Sequence, residues 1–262
     1  MTDFGRWGYT LILLGSLVAA SLLVRRRQSK LLLSMSERWA IRLSAFLGAT
    51  LGAKLPFVMS SGWEAFYSGS AWFMDGKTIL GGIFGGYLAV EFAKWIFQIR
   101  VKTGDSFALP VAIAVGVGRI GCFMAGCCFG NVTDGPWGIH FDTAGDPPEV
   151  LRHPTQLYEV AFHWIAAVFL LVAAKRRWVE GNQLKAYLIA YLAFRFFTEW
   201  LRPESVILLN LTSYQIASAL LMTVLIVLWR WDRKLVSQQD PTQEPLHNSL
   251  PNDLHKPLID EE

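Results

Sequence analysis

The sequence predicts an all-α integral membrane protein, a bundle of about seven transmembrane helices. Three observations support this fold class. Hydrophobic residues make up 53% of the 262 residues and charged residues only 17%. The mean hydropathy is positive. Several apolar runs also reach or approach the length of about 20 residues that crosses a bilayer. Together they argue against a soluble protein.

Seven apolar runs are long enough to be candidate spans. In chain order they cover residues 8–24, 39–59, 79–98, 108–128, 156–174, 184–200 and 211–229. The first is not a typical cleavable signal, because its basic cluster follows the apolar run instead of preceding it. The second and third contain or adjoin charged residues, namely Arg42, Lys54, Glu91 and Lys94. Such charges extend from a helix end towards water or face the bundle interior.

Lysines and arginines are distributed unevenly between the two sets of connecting segments. Fourteen follow spans one, three, five and seven, and four lie on the other side. Because basic loops stay in the cytoplasm, this asymmetry predicts an external N-terminus and a cytoplasmic C-terminus. The fourteen are spread over separate loops rather than gathered on one face, so we exclude nucleic acid as a partner.

The chain divides into a predicted transmembrane domain, residues 1–234, and a polar tail, residues 235–262. The tail bears prolines and few apolar residues, which is typical of a disordered cytoplasmic segment. Within the domain, residues of about 130–155 form the longest external connection, with turn signals at "DGPWG" and "GDPP". Loops of this size are often functional. This loop contains one arginine, Arg152. The rule that basic residues concentrate in cytoplasmic loops does not explain it, because the loop is predicted to be external.

Polar residues recur on one face of the fifth span, which begins at "RHPTQLYE". Pro154 suits a helix start, and Thr155 or the residues before it can cap the helix. Gln156, Glu159 and His163 follow at i, i+3 and i+7 and therefore share a face. This face points either at the bundle interior or at the lipid headgroup level.

The sixth span carries a second polar stripe, which consists of Tyr191, Arg195, Glu199 and Arg202. Arg195 and Glu199 are spaced to pair directly. An ionised residue in hydrocarbon costs about 2.5–3.5 kcal/mol on insertion scales. The stripe is therefore either an ion pair that orients helices or a site whose arginine binds an anion.

Arg119 stands near the middle of the fourth span, within "GRIGCFMAGCCFG". The surrounding glycines predict close helix packing or a bend, and the pairs Gly48/Gly52, Gly81/Gly85 and Gly82/Gly86 predict packing elsewhere. The chain places no acidic residue within a turn or two of Arg119, so its partner comes from another element or from a ligand. A lipid phosphate is suited to a planar guanidinium. This interpretation requires Arg119 and Arg195 not to be neutralised by protein carboxylates.

All three cysteines, Cys122, Cys127 and Cys128, lie at the outer end of the fourth span. The simplest interpretation is that they are small packing residues. A Cys122–Cys127 disulfide requires the helix to break between them, which Gly126 permits. A metal site requires further ligands, for which His140 or His153 is available. We expect packing, with no bound metal.

These motifs resemble those of the bacterial prolipoprotein diacylglyceryl transferases. "GRIGCFMAGCCFG" is similar to the family's G-R-x-G-N-F-x-N-x-E-x-x-G, and "RHPTQLYE" to its R-H-P-S-Q-L-Y-E. The stripe matches Y-x-x-F-R-x-x-x-E-x-x-R, "ILGGIFGG" corresponds to H-G-G-L-x-G, and "SYQIAS" to S-x-G-Q-x-x-S. The matches follow the family's order over residues of about 45–220.

The resemblance implies a multi-pass enzyme of the bacterial inner membrane. Such an enzyme transfers the diacylglyceryl group of phosphatidylglycerol to the thiol of a lipobox cysteine in a prolipoprotein signal peptide and releases glycerol phosphate. It needs no cofactor. By this resemblance Arg119 and Arg195 are catalytic, and His153 and Glu159 are candidate bases. The expected substrate-binding residues are Arg119, Gln156, Tyr158, Tyr191, Glu199 and Arg202.

Four positions depart from the family's pattern. Leu80 replaces the histidine of H-G-G, Cys122 and Ala125 replace asparagines, and Cys127 replaces a glutamate. One alternative is therefore a diverged relative that binds a lipid head group but modifies another acceptor or has lost catalysis. A transporter is a weaker alternative, because the sequence shows no pair of interrupted helices.

Overall fold

The computed structural model describes residues 3–60, 63–72 and 78–239, most of which are helical. The helices are α1 (Asp3–Gln28), α2 (Met35–Ser60), α3 (Trp63–Tyr67), α4 (Ile79–Ile96), α5 (Gly104–Met124), α6 (Thr155–Lys175), α7 (Gln183–Thr198) and α8 (Ser213–Gln239). Strands β1 (Val206–Leu208) and β2 (Leu211–Thr212) form an antiparallel hairpin. Single 3-10 turns cover Ser70–Trp72, Asp142–Ala144 and Glu199–Leu201.

Six of the described helices are long and apolar enough to cross a membrane, namely α1, α2, α4, α5, α6 and α8. The predicted class, an all-α integral membrane protein, is confirmed. The remaining predicted span corresponds to α7, which has 16 residues and continues directly into the 3-10 turn Glu199–Leu201. The external position of the N-terminus stays a prediction.

The helices show the distribution of side chains expected in lipid. On α1, Leu11 and Val18 are more than half exposed, and so are Ile165 and Val168 on α6. The polar residues of α6 are instead buried. A bilayer is the solvent that accepts such an apolar exterior, whereas polar groups in it need partners inside the protein.

The chain forms two compact units, Met1–Tyr187 and Leu188–Glu262. In the first unit, α5 packs against both α1 and α6, and α2 packs along α4. The α2–α4 contact is a glycine seam formed by Gly48, Gly52, Gly81 and Gly85. A Cβ added at Gly85 would lie 2.7 Å from the Cα of Gly52, so the two backbones touch. The predicted packing role of these glycines is confirmed.

Two sets of contacts hold the loops of the first unit. Leu33 and Ile99, in the loops after α1 and α4, form a buried apolar cluster with Ile41 and Val90. The carboxylate of Asp105 accepts the backbone N–H groups of Gly181 at 2.6 Å and Gln183 at 2.8 Å. Asp105 therefore satisfies donors at the start of α7 that have no partner within the helix.

In the second unit a capping box fixes the start of α8. The Thr212 hydroxyl accepts the Gln215 N–H at 3.2 Å, and the Gln215 side-chain oxygen accepts the Thr212 N–H at 3.0 Å. This reciprocal pair is the usual signature of a helix N-terminus. Gln215 also donates to the backbone carbonyl of Phe196 at 3.2 Å, which ties α8 to α7.

Helix α8 continues to Gln239, so the first five residues of the segment that the sequence assigned to a tail, 235–239, are helical. The rest of that segment, residues 240–262, lies outside the described residues.

Candidate active site

A buried ion pair joins α5 to α6 in the first unit. The Nε of Arg119 donates to Oε2 of Glu159 at 2.7 Å. Arg119 is 6% exposed and Glu159 is 1% exposed. The helices meet closely because Gly116 has no side chain: a Cβ at this position would lie 3.2 Å from the Cβ of His163. The predicted partner from another element is therefore a protein carboxylate.

This finding corrects the expectation that the guanidinium groups are not neutralised. Arg119 pairs with Glu159, and Arg195 pairs with Glu199, its Nη2 lying 2.8 Å from Oε2. The spacing argument missed Glu159 because it considered only residues near Arg119 in the chain. Forty positions separate the two, and only the packing of α6 on α5 brings them together.

The polar face predicted on α6 points into the protein. Gln156, Glu159 and His163 are each at most 1% exposed. The hydroxyl of Tyr187 lies 3.0 Å from Nδ1 of His163. Of the two positions considered for this face, the structure shows the interior one.

A tight turn at the end of α5 presents the cysteines. Gly126 has φ +65°, the Gly126 N–H donates to the Phe123 carbonyl at 3.0 Å, and the Cys127 N–H donates to the Cys122 carbonyl at 3.1 Å. This pair of bonds is a Schellman motif, which glycine favours because its left-handed residue has no Cβ. The helix thus ends at Met124, four residues before the end of the predicted span 108–128, and the break that the disulfide alternative needed at Gly126 is present. It brings the Cys127 backbone back to Cys122.

The first turn of α6 holds this cysteine turn in place. Gln156 Nε2 donates to the Cys127 carbonyl at 2.6 Å, and the Thr155 hydroxyl donates to the Cys128 carbonyl at 2.8 Å. The prediction that Thr155 or a preceding residue caps α6 is wrong. Pro154 occupies the cap position and has no side-chain group that can bond, and the Thr155 hydroxyl instead donates to the neighbouring turn.

The three thiol sulfurs lie within 4.8 Å of one another, and the Sγ atoms of Cys127 and Cys128 are 3.9 Å apart. All three cysteines are reduced. Hydrogen bonds with Cys122 and Cys128, together with burial, raise the pKa of the Cys127 thiol. Among the described residues, neither of the histidines proposed as further ligands joins this group.

Tyr9 of α1 is a site residue that the sequence did not reveal. Its ring packs where Gly121 lacks a side chain, 3.2 Å from the position of a Cβ there. Gly121 lies between Arg119 and Cys122 in the chain, so the Tyr9 ring packs on the turn of α5 that carries them. The only sequence signal was a tyrosine in the first turns of an apolar helix, which is common at membrane interfaces.

Arg152 organises the external loop. It donates to Asp146 through two nitrogens, from Nε at 2.5 Å and from Nη2 at 3.1 Å, and its Nη1 donates to the Gly130 carbonyl at 3.3 Å. Its backbone also bridges Val132 and Ile139. The hydrogen bond from Arg152 lowers the pKa of the Asp146 carboxyl. This arginine therefore has a structural role within the loop.

His153 and Tyr158 form a contact beside this loop. Nδ1 of His153 lies 3.1 Å from the Tyr158 hydroxyl, and the His153 ring stacks on Trp137. The backbone of His153 pairs with Gly130 and Asn131, just after the cysteine turn. Both nitrogens of the other candidate ligand, His140, contact the loop itself, at Val150 and Asp142.

The second unit contains its own polar cluster on the predicted stripe. Tyr191, Arg195 and Glu199 are buried, and the Arg202 N–H donates to the Glu199 carbonyl at 3.0 Å. The Thr212 hydroxyl donates to Oε1 of Glu199 at 3.3 Å. The Arg195 guanidinium lies 5.3 Å from the centre of the Tyr214 ring. The sequence identified the stripe but not Thr212 or Tyr214, which come from the next element.

These clusters are suited to anionic chemistry. A guanidinium inside a low-dielectric bundle stabilises negative charge more strongly than it does in water. An adjacent carboxylate that bonds to one side of it fixes its orientation. Three thiols beside Arg119 add nucleophilic or metal-binding groups to the first cluster.

Comparisons with known proteins agree with this picture. A family model described as prolipoprotein diacylglyceryl transferase matches residues 5–231. The chain is 32% identical over 242 residues to a phosphatidylglycerol–prolipoprotein diacylglyceryl transferase of Pseudoalteromonas atlantica, covering 86% of this chain and 84% of the relative. It is 29% identical over 205 residues to that of Clostridium tetani, covering 76% and 81%. The Cupriavidus necator protein of the same name is 33% identical over 206 residues, covering 72% and 73%.

Proposed function

The chain belongs to the prolipoprotein diacylglyceryl transferase family, and from that premise we propose that it transfers the diacylglyceryl group of phosphatidylglycerol to a cysteine thiol of a prolipoprotein. The acceptor is the lipobox cysteine of a signal peptide. The enzyme works as a multi-pass protein of the bacterial inner membrane, with the N-terminus outside. Relatives that carry this activity in their names match most of the chain, which supports this function over a head-group-binding protein without catalysis.

The reaction sets two requirements. The bond between the glyceryl carbon and the phosphate oxygen breaks, and glycerol phosphate leaves with the electron pair. A bond forms between that carbon and the cysteine sulfur, which loses its proton. The site must therefore stabilise negative charge on the phosphate and supply a thiolate.

The buried Arg119–Glu159 pair is the observation that carries the proposal. A guanidinium has five N–H donors, and the bond to Glu159 uses the one on Nε. A guanidinium whose orientation is fixed in this way is suited to a phosphate, whose oxygens accept its N–H groups. Glu159 then acts as a positioning residue, because its Oε2 already accepts the hydrogen bond from the Arg119 Nε. Gln156, one helical turn before Glu159 on α6, donates to the Cys127 carbonyl and so holds the cysteine turn beside the ion pair.

Arg195 provides the same chemistry in the second unit. Glu199 and Tyr214 hold its guanidinium in place, and Thr212 holds Glu199. We assign to Arg195 an anionic lipid head group, with Tyr191 and Arg202 as further contacts of that group. The sequence left two roles open for the Arg195–Glu199 stripe, an ion pair or an anion site. Under this assignment Arg195 has both roles, and neither Arg119 nor Arg195 has to lack a carboxylate partner.

The proton of the acceptor cysteine's thiol must go to a group other than residue 80, where Leu80 replaces the histidine of the family's H-G-G motif. Leu80 is 5% exposed on α4 and has no titratable group. His153 is the remaining candidate base from the sequence, and it lies next to the residues that follow the cysteine turn. Tyr158 orients its ring by the contact at Nδ1.

A transfer assay tests the proposal. The purified full chain is incubated with phosphatidylglycerol labelled in the glycerol head and with a lipobox peptide, and mass spectrometry detects the thioether peptide. We expect one glycerol phosphate for each lipidated peptide, no product from a peptide with serine at the acceptor position, and loss of turnover in Arg119→Ala. Arg26→Ala, an exposed arginine in the last turn of α1, is the matched control. Lipid binding without product would instead indicate a head-group-binding relative.

A further inference from the structure

We propose that Cys122, Cys127 and Cys128 bind one Zn²⁺ ion through their sulfurs and leave its fourth coordination position to the thiol of the acceptor peptide. This inference rests on the proposed transfer reaction, because it assigns a role in thiol activation to a cluster that the family's pattern does not contain. Three protein ligands and one exchangeable position are the composition of a catalytic zinc site, whereas structural sites have four protein ligands.

The distances between the sulfurs suit one metal ion. Zinc–sulfur bonds of about 2.3 Å in a tetrahedron place two sulfurs roughly 3.8 Å apart. The sulfurs of Cys127 and Cys128 are 3.9 Å apart, and all three lie within 4.8 Å of one another. The largest distance between two of the three sulfurs is therefore at most about 1 Å longer than the distance that a shared zinc ion requires. Rotation of the cysteine side chains can close this difference without movement of the backbone.

The backbone that carries these cysteines is held on several sides. The Schellman motif at Gly126 joins Cys127 to Cys122, and Gln156 and Thr155 bind the carbonyls of Cys127 and Cys128. Cys128 has φ +63°, a left-handed conformation that is rare for a residue with a Cβ. Such positions persist where the surroundings determine them, and they concentrate at functional sites. Groups that orient the ligands in this way are a regular part of metal sites.

A disulfide fits this geometry less well. Adjacent Cα atoms are about 3.8 Å apart, below the range of about 4.4–6.8 Å that disulfides span. A Cys127–Cys128 bridge is therefore strained, and a Cys122–Cys127 bridge leaves the third thiol beside it without a function. A shared cation accounts for all three residues together.

The position of the cluster explains what zinc would do. Cys122 lies one turn after Arg119 on α5, and the Tyr9 ring packs at Gly121 between them. The ion would therefore lie within a turn of the residue assigned to the leaving phosphate. A thiol that binds zinc loses its proton at neutral pH, and here His153 accepts that proton. The bound thiolate then attacks the glyceryl carbon, and the departing phosphate takes the electron pair of the broken carbon–oxygen bond.

Metal analysis of the full chain, purified in detergent without chelators, tests the site. We expect close to one zinc per chain that survives dialysis, and a sulfur-to-metal charge-transfer band after replacement by Co²⁺. Cys122→Ser and Cys128→Ser should each lower zinc content at least tenfold. Cys128 is exposed, so its variant is the one that folds most readily. His140→Gln is the matched control and should keep the metal. A chain without zinc, or one whose cysteines prove to be disulfide-bonded, overturns the inference.

The second part of the experiment separates this inference from the transfer reaction itself. A lipobox peptide should intensify the Co²⁺ charge-transfer band, whereas its serine analogue should not. Removal of zinc should reduce turnover at least tenfold, and Zn²⁺ but not Mg²⁺ should restore it. If the wild type and the triple Cys→Ala variant transfer equally well without metal, the zinc inference fails while the proposed function stands. If zinc binds and responds to the peptide thiol but no thioether forms, the proposed function fails.

Discussion

Replacement of Glu159 tests whether the α5–α6 ion pair holds the Arg119 guanidinium in position. Glu159→Gln keeps an oxygen 2.7 Å from Nε but removes the charge. A hydrogen bond to a charged group contributes about 1.5–3 kcal/mol and a neutral one about 0.5–1.5 kcal/mol. The difference of about 1–1.5 kcal/mol corresponds to a loss of roughly tenfold in the transfer rate.

Glu159→Ala removes the oxygen as well. Breaking a buried pair by deleting one partner costs about 3–5 kcal/mol, because the other charge is left without compensation. That cost is a change in folding stability; applied in full to the transfer step at 1.36 kcal/mol per factor of ten, it sets an upper bound of roughly two to almost four orders of magnitude on the loss of rate. The glutamine variant should therefore lie between the wild type and the alanine variant.

The assay is kcat/KM for lipidation of a lipobox peptide, measured alongside thermal unfolding in detergent so that loss of folding is recognised. Arg119→Gln combined with Glu159→Gln completes a double-mutant cycle. Wild-type rates in both Glu159 variants would refute the positioning role. An equally severe loss in both variants, with folding intact, would show that the carboxylate itself takes part in the chemistry as a base.

Three further changes test other parts of the molecule. Arg195→Ala should abolish transfer, and lysine at this position should restore only part of it, because an ammonium lacks the planar fork; complete recovery would indicate that charge alone suffices. Because Arg152 lowers the pKa of Asp146, the stabilisation from this bond is complete above the ordinary pKa of an aspartate and is lost as pH falls through the lowered value. Hydrogen exchange in residues 130–155 should therefore rise in strongly acidic buffer, and Asp146→Asn should show that rise already at neutral pH; unchanged exchange would contradict the role given to the bond. Gly85→Ala should destabilise the fold by about 1–3 kcal/mol, because the methyl group meets the α2 backbone, while Gly15→Ala, which meets nothing within 4 Å, should unfold like the wild type.

The helices and their polar faces were predictable because hydropathy and periodicity are local properties. The apolar runs located each long helix, and the i, i+3, i+7 spacing placed Glu159 and His163 on one face, which the structure shows to be buried. The Arg195–Glu199 pair followed from one turn of helix. The end of the fourth span was placed too late: the prediction ran to residue 128, whereas α5 ends at Met124, and a break at Gly126 was considered only as a condition for a disulfide.

The contacts between helices were not predictable from spacing. Glu159 reaches Arg119 only because α5 and α6 approach at Gly116, and Tyr9 reaches the same region only because α1 packs at Gly121. Thr155 was expected to cap its own helix, yet its hydroxyl bonds to a carbonyl 27 positions earlier. A single sequence does not state which helix faces which, so these side chains could be placed on a face but not matched to a partner.

The glycine seam restricts how a two-tailed lipid reaches the interior. Gly52 and Gly85 bring the backbones of α2 and α4 into direct contact, which leaves no room there for an acyl chain to slide between them. Widening that crevice would give up the close backbone packing that these small residues allow. The acyl chains of a lipid must consequently pass between other pairs of helices, because α2 and α4 pack without a gap at this contact.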